Sequence, residues 1–291
     1  METLQACNLC RSDSIETVDA DCNLCRCRAC GFVFDSPRPA IEDLVGFYSQ
    51  PAKYDLWLRQ KTGRDALWKR RLRKLAPYRA QGNLLDVGAG IGQFLHHARP
   101  FFTEVNGTEV SESAIALARE RYGLNLWKGQ LEELNLPNAS FANITLFHVL
   151  EHVFDPRGLL RRCHELLRAG GILVVAVPNE LLSLRSVGYR IGKKMGFKSF
   201  RDFSSRLGII RSGSGEEIHL SHFTTAVLHD LLESEGFTIV DESLDPAYPS
   251  TGLRLALDSV YYHFHRIWSA VFGVNRYDAI WIAARKDTSS A

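Results

Sequence analysis

The segment NLLDVGAGIGQFL at residues 83–95 limits the fold more than any other part of the chain. Two leucines lead to Asp86 and Val87, glycines alternate at Gly88, Gly90 and Gly92, and an amphipathic run begins at Gln93. A short apolar strand that ends in alternating glycines and feeds a helix marks the mouth of a doubly wound α/β sheet. Glycine there lets the backbone come close to a ligand. The spacing is G-x-G-x-G, whereas dinucleotide enzymes carry G-x-G-x-x-G, with the last glycine five residues after the first.

The following segments extend the same alternation of strand and helix. EVNGTEV at 104–110 reads as a second strand ending in Glu109, ahead of a helix over Ser113–Arg121. An acid at that strand end can accept hydrogen bonds from both hydroxyls of a ribose. NITLFHVLEHV at 143–153 reads as the fourth strand and its exit, then Asp155-Pro156 opens a helix through Arg168. GGILVVAVPN at 170–179 is the fifth strand, and AIWIAA at 279–284 is the final strand of the sheet. His148 and His152 stand at i and i+4 in the fourth motif. One is expected to line the cofactor pocket and the other to cap a helix. As a metal pair they lack a further ligand nearby in sequence.

The glycine loop with Asp86 just upstream resembles motif I of class I S-adenosylmethionine-dependent methyltransferases. WKGQL at 127–131 resembles the third cofactor segment of that family, and the HVLEHV-x-DP and GG…PN segments resemble its small-molecule members. The resemblance covers about residues 81–245. It implies a Rossmann-like α/β core with a seven-stranded sheet, S-adenosylmethionine as cofactor, and a small-molecule acceptor. Asp86 would meet the methionine ammonium, Glu109 the ribose, and Gln130 and Leu131 the adenine, with His148 at the pocket wall.

Six of the seven cysteines lie between Cys7 and Cys30. No secretory signal is visible in the first ten residues, so the cluster reads as metal binding and the chain is expected in the cytoplasm. Cys7, Cys10, Cys27 and Cys30 form C-x2-C-x16-C-x2-C, the spacing of a structural zinc ribbon. Cys22 and Cys25 form a third C-x2-C pair that competes with Cys27 and Cys30. Gly31 and the strand-like Phe32-Val33-Phe34 favour the latter.

The chain is expected to divide into a zinc ribbon (1–36), a helical arm (37–80) and a methyltransferase core (81–291). Two insertions would cover the substrate, at 183–215 and 250–275. The first holds Arg185, Arg190, Lys193, Lys194, Lys198, Arg201, Arg206 and Arg211 against one acid, Asp202, and suggests an anionic acceptor such as a sugar nucleotide or a lipid-linked glycan. The second contains Leu253, Ala256, Leu257, Val260, Tyr261, Phe264, Ile267, Trp268, Val271 and Phe272 at helical spacing. That face is read as core or as a homodimer seam, with a greasy substrate or a peripheral membrane contact as the alternative.

EEIHLSHFT at 216–224 resembles a motif of the deoxysugar C-methyltransferases, in which the histidine is the catalytic base. His219 matches that histidine, while Ile218 stands for the family's glutamate and His222 for its tyrosine. The resemblance makes His219 the candidate base, with His148 and His152 as alternatives at the end of the fourth strand. Oxygen is the preferred methyl acceptor, ahead of carbon and nitrogen.

Lys and Arg number 35 against 33 Asp and Glu, so the net charge is +2 and nucleic acid is an unlikely partner. An RNA methyltransferase that uses the ribbon for binding is the rival reading. A non-catalytic cofactor-binding partner subunit is another. No run of about 18 apolar residues spans a membrane.

Overall fold

The computed structural model describes residues 1–196 and 217–287. Near the N-terminus, β1 (Ile15–Asp19), β2 (Leu24–Cys27) and β3 (Val33–Asp35) form an antiparallel meander. Three helices follow: α1 (Ile41–Tyr48), α2 (Asp55–Arg59) and α3 (Lys61–Leu75). The α/β part comprises β4 (Leu84–Val87), α4 (Gln93–Ala98), β5 (Val105–Glu109), α5 (Glu112–Tyr122), β6 (Trp127–Lys128), β7 (Phe141–Phe147), α6 (Pro156–Leu166), β8 (Leu167–Pro178) and α7 (Leu184–Lys194). It closes with β9 (Ser221–His222), α8 (Thr225–Ser234), β10 (Phe237–Leu244), α9 (Gly252–Phe272) and β11 (Ala279–Lys286).

Seven strands make one sheet in the order β10-β11-β8-β7-β4-β5-β6. The five strands from β8 to β6 are parallel, and β11 enters antiparallel between β8 and β10. This is the expected Rossmann-like α/β core with a seven-stranded sheet. Parallel strands joined by helical crossovers are covered on both faces, and β4 and β7 are buried at every residue. Alternate residues serve opposite cores because successive side chains point to opposite sides. Leu85, Val87, Ile144, Leu146, Leu173 and Val175 join one cluster. Leu84, Ile172, Val174, Trp281 and Ala283 join the other, with Phe94 and Leu95 of α4 and Leu72 and Leu75 of α3.

Helix starts follow local chemistry. Ser111 caps α5 by accepting from Ala114 N–H, and Thr224 caps α8 through Val227 N–H. Asp155 caps α6 through Gly158 N–H, with Pro156 at its first position.

The four-stranded sheet has the order β1-β2-β3-β9, so its edge strand is Ser221–His222 from the far half of the chain. Cys7, Cys25, Cys27, Phe32 and Phe34 share one apolar cluster with Phe223, Leu159 and Leu160. The cysteine sheet is therefore packed onto the α/β part through its own core residues.

The apolar face of α9 does not pack into this chain's core. Leu253, Leu257, Val260, Phe264, Ile267, Val271 and Phe272 are all more than half exposed. The helix docks instead through Tyr262 and His265, and Tyr262 packs with Leu244, Tyr248 and Tyr277. Periodicity located the apolar stripe but not the side on which a neighbour stands. No described helix is long and apolar enough to cross a membrane.

Candidate active site

The glycine loop leaves β4 in a conformation that needs glycine: Gly88 and Gly90 have φ of +65° and +54°. The loop is also closely packed. A Cβ on Gly90 would meet the Trp57 ring at 2.8 Å, and one on Gly88 would meet Val149 at 2.6 Å. Trp57 belongs to α2, and the Arg64 guanidinium lies 3.7 Å from the centre of its ring.

A cavity of about 600 Å³ opens at this loop, at the carboxyl ends of β4 and β5. Gly88, Gly90, Glu109, Gln130, Leu131, His148 and His152 line it. The helical arm supplies Phe47, Tyr48, Tyr54, Trp57, Arg64 and Arg71. Glu109 closes the end of β5 and is almost fully buried. Its Oε2 accepts from Gly90 N–H at 2.7 Å, and Oε1 accepts from the N–H groups of Val110 and Ser111 at 2.8 and 2.9 Å. Burial raises the Glu109 pKa, and the three amides offset part of that rise.

Asp86 and Gly92 are not among the residues lining the cavity. Asp86 lies beneath the loop and accepts from Thr145 Oγ1 at 2.6 Å. Burial raises its pKa to about 7, with the Thr145 hydrogen bond acting against the rise. Gly92 caps α4 with φ of +75°.

At the other end of the cavity the three candidate histidines come together with carboxylates. His148 Nδ1 lies 3.3 Å from Glu151 Oε1, and Nε2 lies 3.3 Å from Asp245 Oδ2. Asp245 is fully buried and also accepts from Nε and Nη2 of Arg71. Burial would lower the His148 pKa, but the carboxylates of Asp245 and Glu151 beside it hold it at about 9. His152 Nδ1 is 2.7 Å from the Ile218 carbonyl oxygen and 3.0 Å from the Tyr48 hydroxyl. Its pKa is lowered by burial, with Glu151 opposing.

His219 stands behind His152, with ring centres 4.9 Å apart, and is not among the residues lining the cavity. Its Nδ1 is 2.9 Å from Glu180 and its Nε2 is 3.3 Å from Glu217. Burial would lower its pKa, but the charge of Glu180 and the hydrogen bonds to both carboxylates hold it well above the ordinary value.

Residues 60–242 match a methyltransferase domain family. The chain belongs to this family. A probable S-adenosylmethionine-dependent methyltransferase of Mycolicibacterium smegmatis is 26% identical over 210 residues, covering 71% of this chain and 70% of the relative. A ubiquinone biosynthesis O-methyltransferase of Coxiella burnetii is 30% identical over 103 residues, 34% of this chain and 44% of the relative. An Archaeoglobus fulgidus methyltransferase structure superposes with a TM-score of 0.52 at 20% identity, over 80% of this chain and all of that one, which establishes likeness of fold. The protein is an S-adenosylmethionine-dependent methyltransferase.

Elsewhere in the methyltransferase, the Sγ atoms of Cys7, Cys10, Cys27 and Cys30 all lie within 4.8 Å of one another. Cys7 and Cys30 are 3.7 Å apart, and Cys10 and Cys27 are 3.5 Å apart. Cys25 points elsewhere, with its sulfur 3.6 Å from the Ser36 carbonyl oxygen. Cys163 is fully buried in the main core.

Of the basic insertion, α7 carries Arg185, Arg190 and Lys194, and none of them lines the cavity. Lys198, Arg201, Arg206 and Arg211 lie outside the described residues. No residue of α9 lines the cavity either, although Ala247 and Pro249 just before it do.

Sequence reasoning passed over Arg64, Arg71, Glu151, Glu180, Glu217 and Asp245. Glu151 sits inside the fourth motif, and Glu180 directly follows the Pro-Asn that ends the fifth strand. Acids at the carboxyl ends of strands in a doubly wound sheet were the available clue.

Proposed function

We propose that this enzyme methylates a small-molecule acceptor, with oxygen favoured over carbon or nitrogen. The observation that carries the reading is the continuity of the cavity. One space runs from Gly88, Glu109 and Gln130 to His148 and His152 under the aromatic arm. The cofactor would occupy the glycine-loop end, with Glu109 at the ribose and Gln130 and Leu131 beside adenine. The acceptor would lie at the histidine end, against Phe47 and Tyr48.

Sulfonium transfer needs alignment of donor and acceptor, exclusion of water, and removal of one proton. The arm supplies the cover. The proton would pass into the histidine–carboxylate cluster, with His148 and His152 facing the acceptor and His219 behind them. An anionic group on the acceptor would meet Arg64 from the arm. The name of the Coxiella burnetii relative supports oxygen as the acceptor atom.

The four-cysteine cluster would hold a structural zinc ion. Thiolates about 2.3 Å from zinc in a tetrahedron lie about 3.8 Å apart, close to the two spacings of 3.5 and 3.7 Å. The enzyme would act in the cytoplasm.

Turnover with methyl-labelled S-adenosylmethionine and a panel of phenolic, sugar and nucleotide-sugar hydroxyl acceptors tests the reading. A product with one added methyl on oxygen is expected. Transfer confined to carbon acceptors or to RNA would refute it.

A further inference from the structure

The buried acid Glu151 is held by neighbours that do not satisfy it. Its side chain is 1% exposed, and neither carboxylate oxygen has a hydrogen-bond partner among the described residues. A buried carboxylate in that condition is costly unless a cation meets it. His148 Nδ1 forms an ion pair with Oε1 at 3.3 Å and His152 Nε2 lies 3.8 Å from the same oxygen, neither in hydrogen-bonding geometry, and Oε2 has no hydrogen-bond partner among the described residues.

The wiring of His152 sharpens the point. Its Nδ1 is 2.7 Å from the carbonyl oxygen of Ile218, which can only accept, so Nδ1 carries the proton. In the neutral ring Nε2 then presents a lone pair toward Glu151, and two acceptors face each other with no hydrogen between them. His219 completes the group, since one ligand atom each from Glu151, His152 and His219 lies within 4.8 Å of the others. His219 Nδ1 is oriented by Glu180 at 2.9 Å, the carboxylate–histidine arrangement that fixes imidazoles for metals. Glu217, 3.3 Å from His219 Nε2, is a further oxygen donor at the cavity wall.

We infer that Glu151, His152 and His219 form a second metal site, distinct from the cysteine cluster, for a first-row divalent cation such as Zn2+, Co2+ or Mn2+. Two imidazole nitrogens and one carboxylate suit such ions better than Mg2+ or Ca2+, which prefer all-oxygen shells. Ligand bonds of about 2.0–2.2 Å would draw the three side chains inward by roughly 1 Å. An ion here would sit at the acceptor end of the cavity and lower the pKa of a hydroxyl bound to it. That catalytic role rests on the proposed function, whereas the binding itself does not.

The test is metal content of the full-length chain by elemental analysis, followed by titration with Co2+. Wild type should hold two ions per chain once Co2+ is added, and the second should show weak visible bands without thiolate-to-cobalt charge transfer. Glu151→Gln and His219→Gln should each lose the second ion while the thiolate-bound one remains, which also reports an intact fold. Glu180→Gln should weaken the second site about 10–100-fold. A folded wild type that takes up no ion beyond the thiolate site, or uptake unchanged in Glu151→Gln and His219→Gln, overturns the inference. Calorimetry of S-adenosylhomocysteine on the same samples separates this failure from failure of the methyl-transfer reading.

Discussion

His222 Nδ1 lies 2.6 Å from Glu180 Oε2, where the cysteine sheet meets the α/β core. The other ring nitrogen is 3.2 Å from Asp35 of β3, so one imidazole joins buried Asp35 to half-buried Glu180. Burial would lower its pKa, but the charge of Glu180 and the Asp35 hydrogen bond raise it to about 9. A raised folded pKa means that the stabilisation is complete below the unfolded value of about 6.5 and is lost as pH rises through about 9. Stability should therefore fall over that window, with a slope of at most about 1.4 kcal/mol per pH unit from this group. His222→Gln leaves buried Asp35 without its cation and Glu180 with His219 alone, and should cost about 3 kcal/mol at pH 7. Urea unfolding at pH 6, 7.5 and 9 checks both points. A variant that keeps the wild-type slope would remove His222 from the account.

The stacking of Trp57 on the glycine loop makes a separate prediction. Gly90→Ala forces a side chain into a left-handed backbone and against the Trp57 ring, and should destabilise by about 1–2 kcal/mol from the backbone alone. Trp57→Ala removes the cover and should weaken cofactor binding by about 1.5–3 kcal/mol, the value of one large buried side chain. Calorimetric titration with S-adenosylhomocysteine measures the second effect. Unchanged affinity would mean that the arm does not cover the cofactor.

Much of the α/β part was legible because its strands are short, apolar and bounded by glycine or proline. The expected strands at 104–110, 143–153, 170–179 and 279–284 all correspond to observed ones. β10 was missed because Asp241 and Glu242 break its apolar alternation. The pairing of β9 with β3 was out of reach, since a two-residue strand has no periodicity and its partner is almost 190 residues away. The histidine cluster was half legible. His148, His152 and His219 stood out by residue type, but Asp35, Glu180 and Asp245 reach their histidines across 187, 39 to 42, and 97 residues. No spacing rule connects positions that only the sheet order brings together.

The cysteine cluster predicts a metal whose loss is selective. Cys27→Ser should release the thiolate-bound zinc and lower soluble yield, whereas Cys163→Ala, a core change, should keep the ion and cost only stability. Zinc released by Cys22→Ser but retained by Cys27→Ser would reassign the ligands.

Calorimetry of S-adenosylhomocysteine binding to wild type and Glu109→Ala measures whether the glycine-loop end of the cavity holds S-adenosylmethionine. One site per chain is expected, weakened by about 1.5–3 kcal/mol when the Glu109 carboxylate is removed, the range for hydrogen bonds to a charged group. Binding of NAD with no binding of S-adenosylhomocysteine, or equal affinity in the two proteins, would contradict it.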